Sequence, residues 1–492
     1  MKKILSNIDS KGNLFYVVIA IVVLVLSAVG AVFIQLFGFK GGVLPVFLAF
    51  GSIFVYAVLR MPRFGVIALI IMSFFIMFTI SLGITDFPLG TVMDGMLALM
   101  IIGFFMQQKY YKNFKVFNNP VAYLIILWIV YNIVQVFNPN AASQIAWIYT
   151  IRSVAMVMLS YFIFSYYIIS IKFLRTIIIL WISLLIFAAL YAMKQEYIGF
   201  FPFEEVNHWD ALVQSLLFID GHWRKNSIFS DPVAFSYNMA IGATLCIGLT
   251  TGPYKLRTKI VLVILACLFL FVMTYSGTRA AYILIPAAGI LFVVLKLDKT
   301  IAVLAIGGAM CLYVLVHIPT GNVTLYRFQS AFKPNDDASY NVRKANQKKI
   351  QPYIQSHPIG GGLGASGVWG VKFSPNSFLA KFPPDSGYLR VAMELGWIGL
   401  FFICTIMFTS LYIGIKNYFN MRDPELKTIC FCMILIVFAV AVANFPQEAI
   451  VQFPLNIMFY LFLALIQVTK VLDDKKFNEE HQIKEKEIKV IE

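Results

Sequence analysis

Runs of roughly twenty apolar residues, the length of helix that crosses a bilayer core, recur along this chain and leave it little choice but a membrane. About fourteen can be marked, near 15–37, 42–59, 64–84, 90–106, 119–137, 147–170, 175–193, 232–250, 259–275, 280–295, 300–317, 388–415, 428–444 and 451–469. A soluble domain could not bury so many. With 492 residues, 60% of them hydrophobic and only 13% charged, composition points the same way. The sequence predicts an all-α polytopic membrane protein of about 12–14 transmembrane helices.

The net charge of +15 would suggest nucleic acid in a soluble protein. Here lysines and arginines mark cytoplasmic loops instead, and no nucleic-acid partner is expected. All six cysteines (Cys246, Cys267, Cys311, Cys404, Cys430, Cys432) fall inside apolar runs. They read as small buried hydrophobes, with neither a disulfide framework nor metal-ligand spacing. The first apolar run is too long for a signal-peptide core and lacks an obvious cleavage site, so it counts as a membrane helix.

Orientation follows from the loops. With Lys2, Lys3 and Lys11 cytoplasmic, the inside connections hold Arg60 and Arg63, Lys109 to Lys115, Lys172 and Arg175, Lys255 to Lys259, Lys296 and Lys299, and Lys416 to Lys427. The short outside loops 85–89, 138–146 and 445–450 hold no Lys or Arg, as the positive-inside rule demands. Both termini are then cytoplasmic. Residues 1–470 form one transmembrane domain, and 471–492 a charged, solvated tail. Two long polar loops, about 194–231 and 318–387, emerge on the outer side with the tight turn Ser276 to Arg279 between them. Three segments distant in sequence thus share one face.

On that face arginines stand out. Arg279 follows Ser-Gly-Thr at a helix boundary, Arg224 precedes a helix with Asp231 near its start, Arg343 sits in SYNVRKANQKK, and Arg152 lies just inside an outer helix end. Guanidinium forks suit a diphosphate; the competing reading for each is snorkelling or structural pairing. Asp385, in PPDSGYL before the run 388–415, reads either as a helix cap or as a base accepting a hydroxyl proton. Asp231 carries the same ambiguity, weighted towards capping. Glu394, two turns into that helix, faces the bundle or the site, Asp94 an interior partner. His357 precedes Gly360, Gly361, Gly362 and Gly364, whose amides could cradle an anion, although no Lys-Ser/Thr follows as in a P-loop. The adjacent Asp336 and Asp337 are not the spaced pair that holds a divalent ion.

Taken in order, the Ser-Gly-Thr-Arg turn, the long loop with an arginine and then HPIGGGLG, and PPDSGYLRVAMELGWIGL resemble the O-antigen ligase and polymerase superfamily, as does RKNSIFSDPVAFSYNMA. The motifs span about 205 to 405; the N-terminal helices fit by hydropathy alone. The resemblance implies a GT-C-like fold with a long, partly helical periplasmic loop, in the bacterial cytoplasmic (inner) membrane. It implies glycan transfer from a polyprenyl diphosphate donor to an acceptor hydroxyl on the periplasmic face, with no cofactor, metal or nucleotide sugar. Arg279 and Arg224 would hold the donor diphosphate, Asp385 would be the catalytic base, and Arg343, Arg152, Asp231, His357, Tyr388 and Glu394 would bind substrate. Many members, ligases especially, carry His-Asn where this chain has Asp385-Ser386. That departure favours a polymerase of lipid-linked repeats, served by a chain-length regulator, over a ligase acting on lipid A-core or protein. A lipid-linked oligosaccharide flippase is the alternative of a different class, but a transporter gathers its ionisable residues near the midplane, not at one face.

Overall fold

A computed structural model describes residues 35, 51–82, 89–108, 114–205, 211–219, 221–321, 323–332 and 338–491. The expected run 15–37, most of 42–59, and His208, Asp336 and Asp337 lie outside the described residues. The helices in chain order are α1 (Gly51–Arg60), α2 (Pro62–Ser81), α3 (Leu89–Gln108), α4 (Pro120–Val134), α5 (Gln144–Ile151), α6 (Ser160–Tyr167), α7 (Ile171–Tyr197), α8 (Ala211–Leu217) and α9 (Pro232–Thr250). There follow α10 (Leu256–Met273), α11 (Arg279–Leu295), α12 (Lys299–His317), α13 (Val323–Ser330), α14 (Ala338–Ser356), α15 (Gly367–Phe373), α16 (Gly387–Asn420), α17 (Pro424–Ala443) and α18 (Leu455–Ile491). Strands β1 (Phe218–Ile219) and β2 (His222–Trp223) pair as a small antiparallel hairpin before α9. Among the described residues, eleven helices are long and apolar enough to cross a membrane, and α11 is a shorter apolar one. The protein is an all-α polytopic membrane protein.

By contacts the chain forms two compact units. The smaller gathers residues up to Gly65 with Leu99–Gln107; in it a side chain at Gly65 would press on Met100. The larger, Val66–Ala98 with Gln108–Glu492, carries everything below. Its centre is α9, α17 and α18, buried over 83%, 78% and 83% of their apolar windows, whereas α12 is buried over only 6% and belongs to the periphery. Phe235, Phe431, Phe459 and Phe462 fill that centre.

Helix starts are written into the sequence as caps. Asn119, Ser143, Ser170, Asp231 and Asp423 each accept backbone amides at the head of α4, α5, α7, α9 and α17, with proline next at Pro120, Pro232 and Pro424. Polar side chains gather at two ends. At one, Arg175 grips Glu425 (Nε–Oε1 2.7 Å), Lys476 Nζ is 2.6 Å from Asp423, and Asp473 accepts the Arg422 and Asp423 amides. These are residues assigned above to the inside loops and tail. The tail's first turns are therefore docked rather than solvated, because the turn 421–423 needs acceptors for its amides and the Asp473 carboxylate supplies them.

At the other end the polar segments converge. The loop after α12 is partly helical, as expected, with α13, α14 and α15 inside it. Helix α16 breaks at Gly396, whose φ of 69° and ψ of −173° interrupt it. The carbonyls freed there are not left bare, which a membrane segment would not tolerate. Gly361 and Gly362 donate their amides to Met393 O and Glu394 O, both at 2.9 Å, and Tyr131 donates its hydroxyl to Leu395 O at 2.7 Å. The glycine-rich loop is thus a splice for the broken helix.

Candidate functional site

The site is built around the turn between α10 and α11. Thr274–Ser276 tighten into a 3-10 turn, Gly277 takes the left-handed conformation (φ 57°, ψ 21°), and the Thr278 amide donates to Ser276 Oγ at 3.1 Å. A Cβ at Gly277 would run into the Arg327 guanidinium, so glycine both permits the turn and leaves room for that arginine. Arg224 closes the turn from the other side. Its Nε donates to Ser276 O at 2.7 Å, Nη2 to Thr278 Oγ1 at 3.0 Å, and Nη1 to Leu216 O at 3.1 Å. Burial, with the nearby charges of Arg327 and Arg279, pulls the Arg224 guanidinium down to about 10, against the opposing pull of Asp231. Arg224, Arg279 and Arg327 thus lie within electrostatic reach of one another in a partly buried corner. Beside them opens a cavity of about 730 Å³ lined by Arg224, Arg327, Glu196, His222 and Gly277 among polar groups, with Phe271, Leu315, Leu325 and Phe328 as apolar wall.

A second cluster surrounds the start of α16. Ser386 is the cap, accepting the Leu389 amide at 3.4 Å. Asp385 is not, and its Oδ2 meets only Asn346 Nδ2 of α14, at 3.4 Å, among the described residues. One turn on, Arg390 bridges two carboxylates: Nε lies 3.3 Å from Glu394 Oε1 and Nη1 donates to Glu448 at 2.8 Å. Burial raises the Glu448 carboxyl above its usual range, opposed by Arg390 and reinforced by Glu394 and Asp385. Its Oε1 is buried without a hydrogen-bond partner among the described residues. Tyr237 of α9 links the clusters, its hydroxyl 3.4 Å from Ala443 O and within electrostatic reach of both Asp231 and Arg343.

Residues 262–404 match the family model described as O-Antigen ligase. The match supports the O-antigen ligase and polymerase superfamily. No curated protein matches the chain. The O-antigen ligase segment runs from inside α10 into α16 and so contains the Gly277 turn, Arg279, Arg327, the glycine loop and Asp385. Arg224 and Glu448 reach the same end from outside it.

Within this frame the expected residues divide. Arg224 and Arg279 come together, as topology required. Asp231 caps α9, taking the Val233 and Ala234 amides at 2.8 and 2.9 Å, while its charge still reaches Arg224. Arg343 and Asp385 lie on the second cluster's side, joined through α14. The other four have structural partners. Arg152 Nε stands 3.1 Å from Asp94 Oδ2 and its Nη1 donates to Thr91, the interior pairing foreseen for Asp94. His357 Nδ1 is 2.9 Å from Tyr353 O, and its ring stacks on Tyr353 at 3.9 Å. Tyr388 donates into the bundle, to Ala441 O at 2.8 Å. Glu394 is fully buried and accepts from Gly364 N and Ser366 Oγ at 2.9 and 2.6 Å. With Gly361, Gly362 and Gly364 amides all engaged, the glycine loop offers these no longer as an anion cradle.

Three residues escaped the sequence reading: Arg327, Arg390 and Glu448. Arg327 has a sequence signal, a basic residue in the outer loop one turn from the end of a short helix; Glu448 has only its place in a short loop otherwise free of charge. Among the described residues no three His, Cys, Asp or Glu side chains converge as a metal site.

Proposed function

We propose that the protein is a membrane glycosyltransferase that polymerises polyprenyl-diphosphate-linked oligosaccharide repeats into O-antigen or exopolysaccharide. The observation that carries this reading is the convergence of Arg224, Arg279 and Arg327 at the Gly277 turn, beside an apolar-walled cavity. Clustered guanidinium forks suit the oxygens of a diphosphate, and the apolar wall suits the isoprenoid attached to it. An acceptor hydroxyl attacks the anomeric carbon of the donor glycan; its proton passes to Asp385, which Ser386 has relieved of capping. The bond from that carbon to the diphosphate breaks, and the electron pair leaves with the phosphate, where the arginines stabilise the charge that develops. Arg343, on α14 with Asn346, would steer the acceptor towards Asp385. The helices of the long loop exclude water, which would otherwise waste the donor by hydrolysis. The site lies on the periplasmic side of the bacterial inner membrane, with both termini cytoplasmic, because the arginine-bearing end is opposite the lysine-rich one.

The family description favours a second reading, a ligase passing the glycan to lipid A-core or protein; Asp385-Ser386 in place of His-Asn favours the polymerase. Purified protein given a synthetic polyprenyl-diphosphate repeat decides between them. Chain extension in detergent is expected. Transfer solely to an added lipid A-core acceptor would make it a ligase. Absence of transfer to either, with transport of the intact donor across vesicles, would make it a flippase.

A further inference from the structure

The donor cavity holds more than arginines. At its wall His222, on β2, places Nε2 3.2 Å from Glu196 Oε2 at the end of α7. Lys225 Nζ approaches the same oxygen at 3.6 Å from the buried side. A carboxylate on the wall of an anion site is at first sight misplaced, since it repels the ligand. It is accounted for if its task is to hold a cation there: the imidazolium of His222, with Lys225 fixing the carboxylate from behind. The remaining ring nitrogen, Nδ1, has no partner among the described residues, and the side chain is 52% exposed, so water can resupply it with protons.

Among the described cationic residues lining the cavity, His222 alone is of a type that changes charge between about pH 5 and 8. Arg224 and Arg327 can neutralise a departing diphosphate by charge but are too weakly acidic to give it a proton. A diphosphate can leave as an anion stabilised by the arginines; a proton given to it as the bond breaks would neutralise part of the charge that develops. Asp385 belongs to the α16 cluster and is not part of the cavity wall; His222 is.

We propose that His222, held by Glu196, is the general acid of the transfer, giving its proton to the departing diphosphate. This rests on the glycosyltransferase reading above. As the carbon–oxygen bond to the diphosphate breaks, the phosphate oxygen keeps the electron pair and takes the His222 proton. The acceptor hydroxyl proton goes to Asp385. His222 then regains a proton from solvent and Asp385 releases one, so the cycle balances. Among the described residues, the titratable and charged groups beside His222 or lining the cavity with it are Glu196, Lys225, Arg224, Arg327, Tyr282 and Tyr275, whose hydroxyl lies 3.1 Å from that of Tyr197.

The test uses the full chain in detergent with a synthetic polyprenyl-diphosphate repeat, read as single-turnover rates at saturating donor from about pH 5.5 to 9, the range of imidazole titration. The wild-type rate should fall on the alkaline side. H222Q should be slower by about a hundredfold, lose that alkaline limb, and bind donor within about threefold of wild type. H222R, which keeps the positive charge without a transferable proton, should stay slow. Three results would overturn the inference alone: H222Q extending chains at the wild-type rate, H222Q keeping the alkaline limb, or H222R restoring the rate. Wild-type protein that extends no chains overturns the parent reading and this one with it. Because His222 lies on an exposed two-residue strand, thermal unfolding of each variant should match wild type, and E196Q provides a second variant that should share the slow rate.

Discussion

Arg327 is a cavity residue whose place beside Arg224 the fold brings into view. It overhangs Gly277 and lines the same cavity as Arg224. Arg327→Ala should slow chain extension by on the order of a hundredfold, equivalent to roughly 2–4 kcal/mol of lost transition-state stabilisation, without lowering the melting temperature. Unchanged polymer length at normal protein level would remove Arg327 from the site. Arg224 adds a pH dependence. Its guanidinium is depressed to about 10 by burial and by Arg327 and Arg279. A depressed cation loses its proton early as pH rises, so inorganic pyrophosphate binding should weaken as pH passes through about 10, below the range of an ordinary guanidinium. Isothermal titration across that range checks the sign, and binding that strengthens there would contradict it. Glu394, by contrast, should matter to folding: it satisfies Gly364, Ser366 and Arg390 at once, so its removal strands buried donors and leaves Arg390 to Glu448.

Among elements, the broken helix α16 is the most exacting. At Gly396 a side chain would collide with Pro358 O, and at Gly360 with the backbone of Glu394 and Gly396. Both glycines also take positive φ, 69° and 72°. Gly396→Ala should cost at least about 2–3 kcal/mol, the sum of a left-handed penalty and a backbone collision that no rotamer relieves. The readout is detergent melting temperature, and a fall of under a degree would show that the splice between the glycine loop and α16 is loose. The HPIGGGLG stretch reads in sequence as a flexible anion loop. Its amides went instead to the helix carbonyls, because a gap in a membrane helix leaves acceptors that must be met from within the protein.

At the scale of the molecule, the two polar ends make a topological prediction. In a cysteine-free background, Tyr326→Cys at the arginine end and Lys475→Cys at the lysine-rich end should react oppositely with an impermeant thiol reagent: the first in intact cells, the second only after permeabilisation. Both positions are exposed, 63% and 62%. The inner end also has a stability role. Burial alone would raise Asp423, but Lys476 and the Leu426 and Glu425 amides outweigh it and hold the carboxyl below its usual range. A depressed acid stabilises the fold above its unfolded pKa and loses that contribution as pH falls through the folded value. Asp423→Asn keeps a capping oxygen but loses the charge facing Lys476, so it should cost up to about 1 kcal/mol near neutral pH, the range of a surface ion pair, and the difference should vanish in strong acid. The membrane spans, the helix caps and the two-ended polarity were legible in the chain itself, because hydropathy over twenty residues, cap chemistry and loop charge are local quantities. The Gly277 turn and Arg224 were legible too, as a spacing and a side. What the tertiary structure alone decided was partnership: Arg152 to Asp94, Glu394 to the glycine loop, Ser386 rather than Asp385 as the cap, and Arg327 and His222 to one cavity. Those depend on which of many equally polar groups meets which once the chain has folded, and a linear pattern carries no record of that meeting.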